Sequence, residues 1–113
     1  MMNIRKAKLE DISRIAEILV FTKRLNYRSI FQNDNYSFGE MQVLSVAQEY
    51  LDNPSVLNEI WVYYDEFVKG FIHVKDKEIK ELYVDHFFEN EGIGGKLIEF
   101  AIKNFNVQYL MER

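Results

Sequence analysis

The sequence predicts an α/β fold of the α+β kind, a mostly antiparallel sheet flanked by helices in the order β-α-α-β-β-β-α-β. Three observations carry that expectation. Two stretches in the first half space their apolar residues three and four apart; residues 59–84 read as three strands joined by two tight turns; and a glycine-rich loop then opens another amphipathic helix. The 113 residues are 48% hydrophobic and 15% aromatic, with one proline and no low-complexity run, so a single domain over residues 1–113 with its own core is expected.

Met2 to Ala7 alternates weakly and reads as the first strand. Glu10 and Asp11 then place negative charge where a helix start favours it. Ile12, Ile15, Ala16, Leu19 and Val20 make the buried face of the helix that follows, with Ser13, Arg14 and Glu17 opposite. Asn26 to Tyr36 has no period and reads as a loop or a short broken helix bordering a pocket. Ser37 and Glu40 have capping-box spacing, so a second helix is expected to start there. Its stripe is Met41, Leu44, Ala47 and Leu51, and Asn53-Pro54 ends it, because proline cannot continue the hydrogen-bond ladder.

Glu59 to Tyr64 and Phe67 to Lys75 are rich in β-formers and flank Asp65-Glu66, the mark of two antiparallel strands. Asp76-Lys77 makes a second turn into Glu78 to Val84, the third strand of the meander. Ile93, Leu97, Phe100 and Ala101 give Gly92 to Phe105 a helical stripe, and Val107 to Met111 reads as a last strand. No internal repeat or linker divides the chain.

Composition excludes several chemistries. Without cysteine there is no disulfide, thiolate metal site or cysteine nucleophile, and two separated histidines give no support to a tetrahedral zinc site, so no metal is expected. No stretch approaches membrane-spanning length, and Arg5, Lys6 and Lys8 precede no signal-like apolar run; a soluble cytoplasmic protein without a membrane partner is the expectation. Charge is uneven. Residues up to Arg28 carry seven Lys or Arg and three Asp or Glu, against seven and fifteen from Ser29 onward. The acidic body disfavours nucleic acid as a partner and attracts cationic amines.

The chemistry concentrates between Val84 and the helix near Gly92, in Glu89-Asn90-Glu91-Gly92-Ile93-Gly94-Gly95-Lys96. A loop entering a helix aims backbone N–H groups at one spot, and the helix start adds the equivalent of about half a positive charge, which suits a phosphate or pyrophosphate. Gly92 and Gly94 stand where a side chain would block close approach of the ligand. The same glycines would also serve a plain strand-to-helix turn, and the loop alone leaves both readings open. It carries neither the Gly-Lys-Ser/Thr ending of a Walker loop nor the three-glycine dinucleotide fingerprint, which disfavours nucleotide hydrolysis and hydride transfer.

Leu82-Tyr83-Val84, a short spacer, Glu89 to Gly94 and the helix from Gly95 to Ala101 resemble the signature of the GCN5-related N-acetyltransferase family, and the upstream element order is similar as well. The resemblance covers the whole chain. It implies a mixed, splayed sheet with acetyl-CoA held between the strand ending at Val84 and the strand near Val107. The backbone of Leu82, Tyr83 and Val84 would meet the pantetheine arm, and Glu89, Asn90, Glu91, Gly92, Ile93, Gly94, Gly95 and Lys96 would cradle the pyrophosphate. Two features depart from the family. Glu89 and Glu91 stand where it has Gln or Arg and a basic or small residue, with Lys96 placed to offset their repulsion. The family also continues with another helix and a hairpin that close the sheet and in many relatives supply an acidic tyrosine; that part is expected to be lacking here, leaving the general acid unassigned.

An alkyl amine titrates near ~10.4 and must lose a proton before acyl transfer, so a base is needed. The resemblance points to Glu81 on the motif strand, the dull alternative being a solvent-facing strand residue. His73 and His86 have no sequence neighbour arguing for activation and read as ordinary histidines. Trp61, Tyr63 and Tyr64 read as sheet packing, while Tyr27, Phe31 and Tyr36 are candidates for the acceptor side. The function expected is an acetyl-CoA-dependent N-acetyltransferase acting on a primary amine of a small molecule or protein. Its alternative is a non-catalytic CoA-binding or protein-interaction module of the same fold. An uncovered last strand, with Val107, Tyr109 and Met111 or Gln108 and Leu110 inadequately buried, suggests a homodimer through its edge.

Overall fold

The computed structural model describes residues 3–26, 36–107 and 109–110, with side-chain surroundings given outside 23–42 and 108–113. The strands are β1 (Ile4–Lys6), β2 (Ile60–Asp65), β3 (Phe67–Lys75), β4 (Glu78–Val84) and β5 (Tyr109–Leu110); the helices are α1 (Ile12–Asn26), α2 (Tyr36–Asp52) and α3 (Ile93–Phe105). They form one five-stranded sheet in the order β1-β2-β3-β4-β5. The first three pairings are antiparallel and the last, β4 with β5, is parallel, so the sheet is mixed and mostly antiparallel as the sequence predicts. No described helix is long and apolar enough to cross a membrane.

Two layers of helix cover the sheet because its strands alternate. Ile60, Val62, Val68 and Phe71 face α1 and α2, while Tyr63, Ile72, Val74 and Ile79 face α3. The turns are local chemistry: Glu66 has φ 74°, and Asp76 and Lys77 have φ 52° and 66°, the left-handed pair whose twist matches that of the strands they join. All five apolar positions expected inside α1 are buried. Ile18 is buried too, since α1 touches both the sheet and α2.

Helix α2 turns a different face inward from the one the spacing suggests. Val43, Val46, Ala47 and Tyr50 pack on the core, whereas Leu44 is 71% and Leu51 53% exposed. Both stripes have helical spacing, and packing onto α1 selects the one with the β-branched pair. Ser37 is the helix's second residue rather than a cap in front of it. The side chains of Ser37, Glu40 and Met41 lie outside the described residues, as do those of Tyr27, Phe31, Tyr36, Gln108, Tyr109, Leu110 and Met111, so the expected acceptor-side aromatics and the expected exposure of 108–111 lie there also, while Val107 is half-buried against the α3 cluster.

The entry to α1 is fixed by a charge. Asp11 is buried, and its carboxylate accepts from both Arg5 guanidinium nitrogens, at 2.8 and 3.1 Å, and from the Lys8 backbone N–H at 2.8 Å. Burial pushes the carboxyl's pKa up, but the bonds from Arg5 and Lys8 outweigh it and hold Asp11 below its ordinary value. A depressed folded-state pKa contributes stability that is complete above the unfolded value near ~3.9 and is lost as pH falls through the folded value. Asp11→Asn is therefore expected to lower unfolding free energy at pH 7 by about 2 kcal/mol, measured by urea denaturation, with the deficit shrinking below about pH 4.

Candidate functional site

A strand in mid-sheet has hydrogen-bonding neighbours on both sides. Among the described residues, the parallel partner β5 pairs with β4 at Glu78 and Ile79. On the other side the β3 register steps from Val74↔Ile79 to His73↔Glu81, so Lys80 is an extra residue and the strand bulges there. Beyond the bulge, Glu81, Leu82, Tyr83 and Val84 continue along β3, and no described strand pairs with Leu82 or Val84 on the other side. Alternate residues of such an edge present N–H and C=O groups outward, ready for an extended ligand.

That edge runs into the glycine loop. Asp85 ends β4; its backbone N–H donates to the Lys69 carbonyl at 2.9 Å, and its carboxylate accepts from the Phe87 N–H at 2.9 Å and pairs with Arg14 of α1. Arg14, expected on α1's solvent side, also donates through Nε to the Val68 carbonyl at 2.8 Å. The turn between sheet and α3 is thus tied to α1. A 3₁₀ turn over His86–Glu91 follows, and Gly92, at φ 76°, starts α3 in the left-handed conformation glycine tolerates. The first helical bond is Lys96 N–H to Gly92 carbonyl at 3.1 Å, so the N–H groups of Ile93, Gly94 and Gly95 precede it and are donors without an intrahelical partner.

Ile93 is buried and anchors this start, while Gly94 faces Val84 and Gly95 faces open space. A Cβ on Gly94 would lie 3.8 Å from the Val84 side chain and one on Gly92 or Gly95 would meet nothing within 4 Å: the cradle is room a side chain would fill. Lys96 lies on the other side of the helix. Its ammonium stands 5.7 Å from the centre of the Tyr63 ring and helps line a groove of about 410 Å³ with Asn3, Ile4, Glu99, Phe100 and Lys103. Asn90 and Glu91 are exposed, and Glu89, half exposed, has Oε1 3.5 Å from His86 Nδ1.

Glu81 is part of a cluster on the sheet face that α1 and α2 cover. His73 stands beside it in the register, with Nδ1 4.0 Å from Glu81 Oε1 and Nε2 2.8 Å from Glu59 Oε1. His73 thus does have partners, contrary to the reading of its sequence neighbours. The His73 hydrogen bond holds the Glu59 carboxyl below its ordinary pKa. Tyr50 of α2 joins the group: burial, then the nearby Glu81 charge, pushes its phenol up to about 12, so it stays protonated at neutral pH. Tyr83 packs on the same face with its ring 5.7 Å from that of Phe71. Trp61 and Tyr63 pack under α3 as expected, but Tyr64 is 43% exposed and carries the Arg5 guanidinium over its ring at 4.8 Å. His73, Glu59 and Tyr50 escaped the sequence reading, since only the register brings them to Glu81.

No family model matches this sequence, and no curated protein does. Solved structures do. An N-acetyltransferase from Staphylococcus aureus Mu50 superposes with a TM-score of 0.70 at 18% identity, over 95% of this chain and 79% of that one. PaiA N-acetyltransferase from Thermoplasma acidophilum, solved in complex with coenzyme A, gives 0.60 at 22% identity, over 92% of this chain and 73% of that one. A GCN5-related N-acetyltransferase from Rhodopseudomonas palustris gives 0.54 at 22%, over 88% of this chain and 62% of that one, so the chain spans less than two thirds of its length. The chain has the fold of the GCN5-related N-acetyltransferases.

The junction where β3, β4 and α3 meet leaves no room for a methyl group. A Cβ on Gly70 would sit 3.0 Å from the Tyr83 carbonyl oxygen and 3.3 Å from side-chain carbons of Ile93 and Val84. Gly70→Ala is expected to destabilise the protein by about 1–3 kcal/mol in urea denaturation, because backbone must shift to admit it.

Proposed function

We propose that the chain is an acetyl-CoA-dependent N-acetyltransferase that transfers an acetyl group to a primary amine of a small molecule or protein, by direct transfer while both substrates are bound. One observation carries this reading: the end of β4 at Leu82 and Val84 lies beside the start of α3, where Gly94 faces Val84 and the N–H groups of Ile93, Gly94 and Gly95 have no intrahelical partner. An extended amide-containing arm that ends in a pyrophosphate matches that pairing of features. The outward backbone groups of Leu82 and Val84, on either side of Tyr83, would hydrogen-bond the pantetheine amides as a neighbouring strand would. Ile93, Gly94 and Gly95 would donate to the pyrophosphate, helped by the helix start.

On this reading Glu81 is the base. Its carboxylate takes the proton of the amine nitrogen, the nitrogen forms its bond to the acetyl carbon, and the carbon–sulfur bond breaks to release the thiolate of CoA. Glu81 sits on the α1/α2 face at the edge where the acyl end of the arm would lie, so the amine is expected to approach from that side. The carboxylates of Glu59 and Glu81 favour a cationic acceptor there. A non-catalytic CoA-binding module of the same fold is the second reading, motivated by the carboxylates of Glu89 and Glu91 beside an anion's place. Release of CoA thiol in the presence of benzylamine, cadaverine, glucosamine or a peptide with a free N-terminus separates the two. Acceptor-dependent release above hydrolysis is expected, and CoA binding without any such release would favour the module.

Binding itself has a sharp test in calorimetry with CoA. Gly94→Val is expected to abolish binding in a folded protein, because its side chain enters the cradle with only an ordinary contact to Val84. Gly92→Val should do the same at a further cost of about 1–2 kcal/mol in stability, from the left-handed backbone. Glu91→Lys should tighten CoA by about 0.5 kcal/mol, roughly twofold, the modest size following from its exposure to solvent. Unchanged affinity in Gly94→Val would remove this loop from the site.

A further inference from the structure

The cluster behind Glu81 has a second feature, whose significance rests on the acetyl-transfer reading. His73 turns both ring nitrogens toward carboxylates, at 2.8 Å to Glu59 and 4.0 Å to Glu81. A neutral imidazole has one N–H and can satisfy only one of them. The short contact identifies the bond in place: Nε2–H donates to Glu59, a bond that also holds that carboxyl below its ordinary pKa. Nδ1 is then a bare lone pair facing another acceptor, and two acceptors do not close to hydrogen-bond distance. That accounts for the 4.0 Å. Once Glu81 carries a proton the pair becomes an O–H donor facing a nitrogen acceptor, and the gap has reason to close.

We propose that His73 is a positioning and relay residue, which orients protonated Glu81 and passes the proton taken from the amine through its ring to Glu59 and water. The atoms balance. Glu81 gains the amine proton on oxygen; Nδ1 accepts it as Nε2 gives up its own proton to the Glu59 carboxylate; Glu59, on the solvent side with a third of its side chain exposed, releases that proton to water. The ring returns to its resting tautomer by reorientation of protons through water, and no oxidant or reductant enters. The imidazole is suited to such a path because it can hold a proton on either nitrogen near neutral pH. Among the described residues, the titratable groups that act on this cluster include Tyr50 and Glu49 of α2, Tyr83 of β4 and Lys75 of β3. Tyr50, held protonated by burial and the Glu81 charge, does not compete for the proton at neutral pH.

The experiment compares His73→Ala and His73→Gln with the unaltered protein, using whichever amine of the panel above gives the fastest thiol release. Both variants are expected to fold and to lose on the order of 10- to 100-fold in kcat with KM for acetyl-CoA unchanged. Imidazole added to the buffer should restore His73→Ala in a saturable way, because a free ring can occupy the vacated space, and should not restore His73→Gln, whose amide fills it. Unchanged kcat in either variant, or a loss in His73→Ala that imidazole leaves untouched, would overturn the relay. If the unaltered protein releases no thiol with any amine, the acetyl-transfer reading fails first. The geometry is then decided by the ring ¹⁵N resonances of His73, expected to respond separately to Glu59→Gln and Glu81→Gln; no response to Glu81→Gln would overturn the coupling itself.

Discussion

The path of β4 past its bulge is the constraint on which the rest of this structure depends. Backbone N–H and C=O groups withdrawn from water must find partners, and a strand inside a sheet ordinarily finds them on both sides. Here the described pairing with β5 covers Glu78 and Ile79, and the extra residue Lys80 bends the strand just beyond them, so that no described strand lies along Leu82 and Val84 on the side away from β3. Such an edge would be a liability if the strand could twist freely. It is held instead from both faces: Leu82 and Val84 pack under α3 with Ile93 and Leu97, and Tyr83 packs with Phe71 against α1 and α2. This stretch of β4 is therefore held from both faces, and an extended ligand along it would bind without first having to order the strand.

The loop beyond the edge is held by long-range charge rather than by its own sequence. Asp85 caps the 3₁₀ turn and accepts from Arg14, which also grips the Val68 carbonyl, so β3, α1 and the turn share one guanidinium. Close by, the Lys69 ammonium lies 4.6 Å from the Phe88 ring centre and 5.3 Å from that of Phe67. Arg5 and Asp11 hold the same end of α1 one turn away. With its first turn pinned twice, α1 helps fix where the turn before α3 stands relative to β4, and the donors of Ile93, Gly94 and Gly95 follow from that position.

Most of this architecture is legible in the sequence because it is local. The α3 stripe, the turns at Glu66 and Asp76-Lys77 and the break at Asn53-Pro54 each follow from a few adjacent residues, and the structure has them within a residue or two of their expected places. The face of α2 was not legible, since two stripes of equal spacing compete and only contact with α1 decides. Nor was the cluster at Glu81. Counting back across a two-residue turn from Lys75↔Glu78 would set His73 opposite Lys80; the bulge moves Glu81 there instead. Bonds such as His73–Glu59 and Arg14–Asp85 join residues 14 and 71 apart and have no signature short of the register itself. The glycine loop was legible as the start of α3, while the side of α3 on which Lys96 falls was not.

The carboxylates of Glu89 and Glu91 pose the remaining physical question, and magnitudes decide it. An exposed carboxylate at about 8 Å from a phosphate charge costs about 0.5 kcal/mol in water, and salt at physiological strength screens it further over that same distance. Glu89 has His86 at 3.5 Å, and both Glu89 and Glu91 are exposed, so the aqueous figure is the appropriate one. Each backbone N–H that reaches a phosphate oxygen makes a bond to a charged group worth about 1.5–3 kcal/mol. Three such donors, on Ile93, Gly94 and Gly95, precede the first helical bond of α3, and the two glycines leave the approach clear. Contact through aimed donors therefore outweighs repulsion through solvent, and the acidic loop lowers the affinity of such a site without abolishing it. Such a site would also select by shape: an anion too small to reach all three donors would keep the full repulsion and forfeit the bonds, so a chain-like ligand lying along β4 would gain most from this loop.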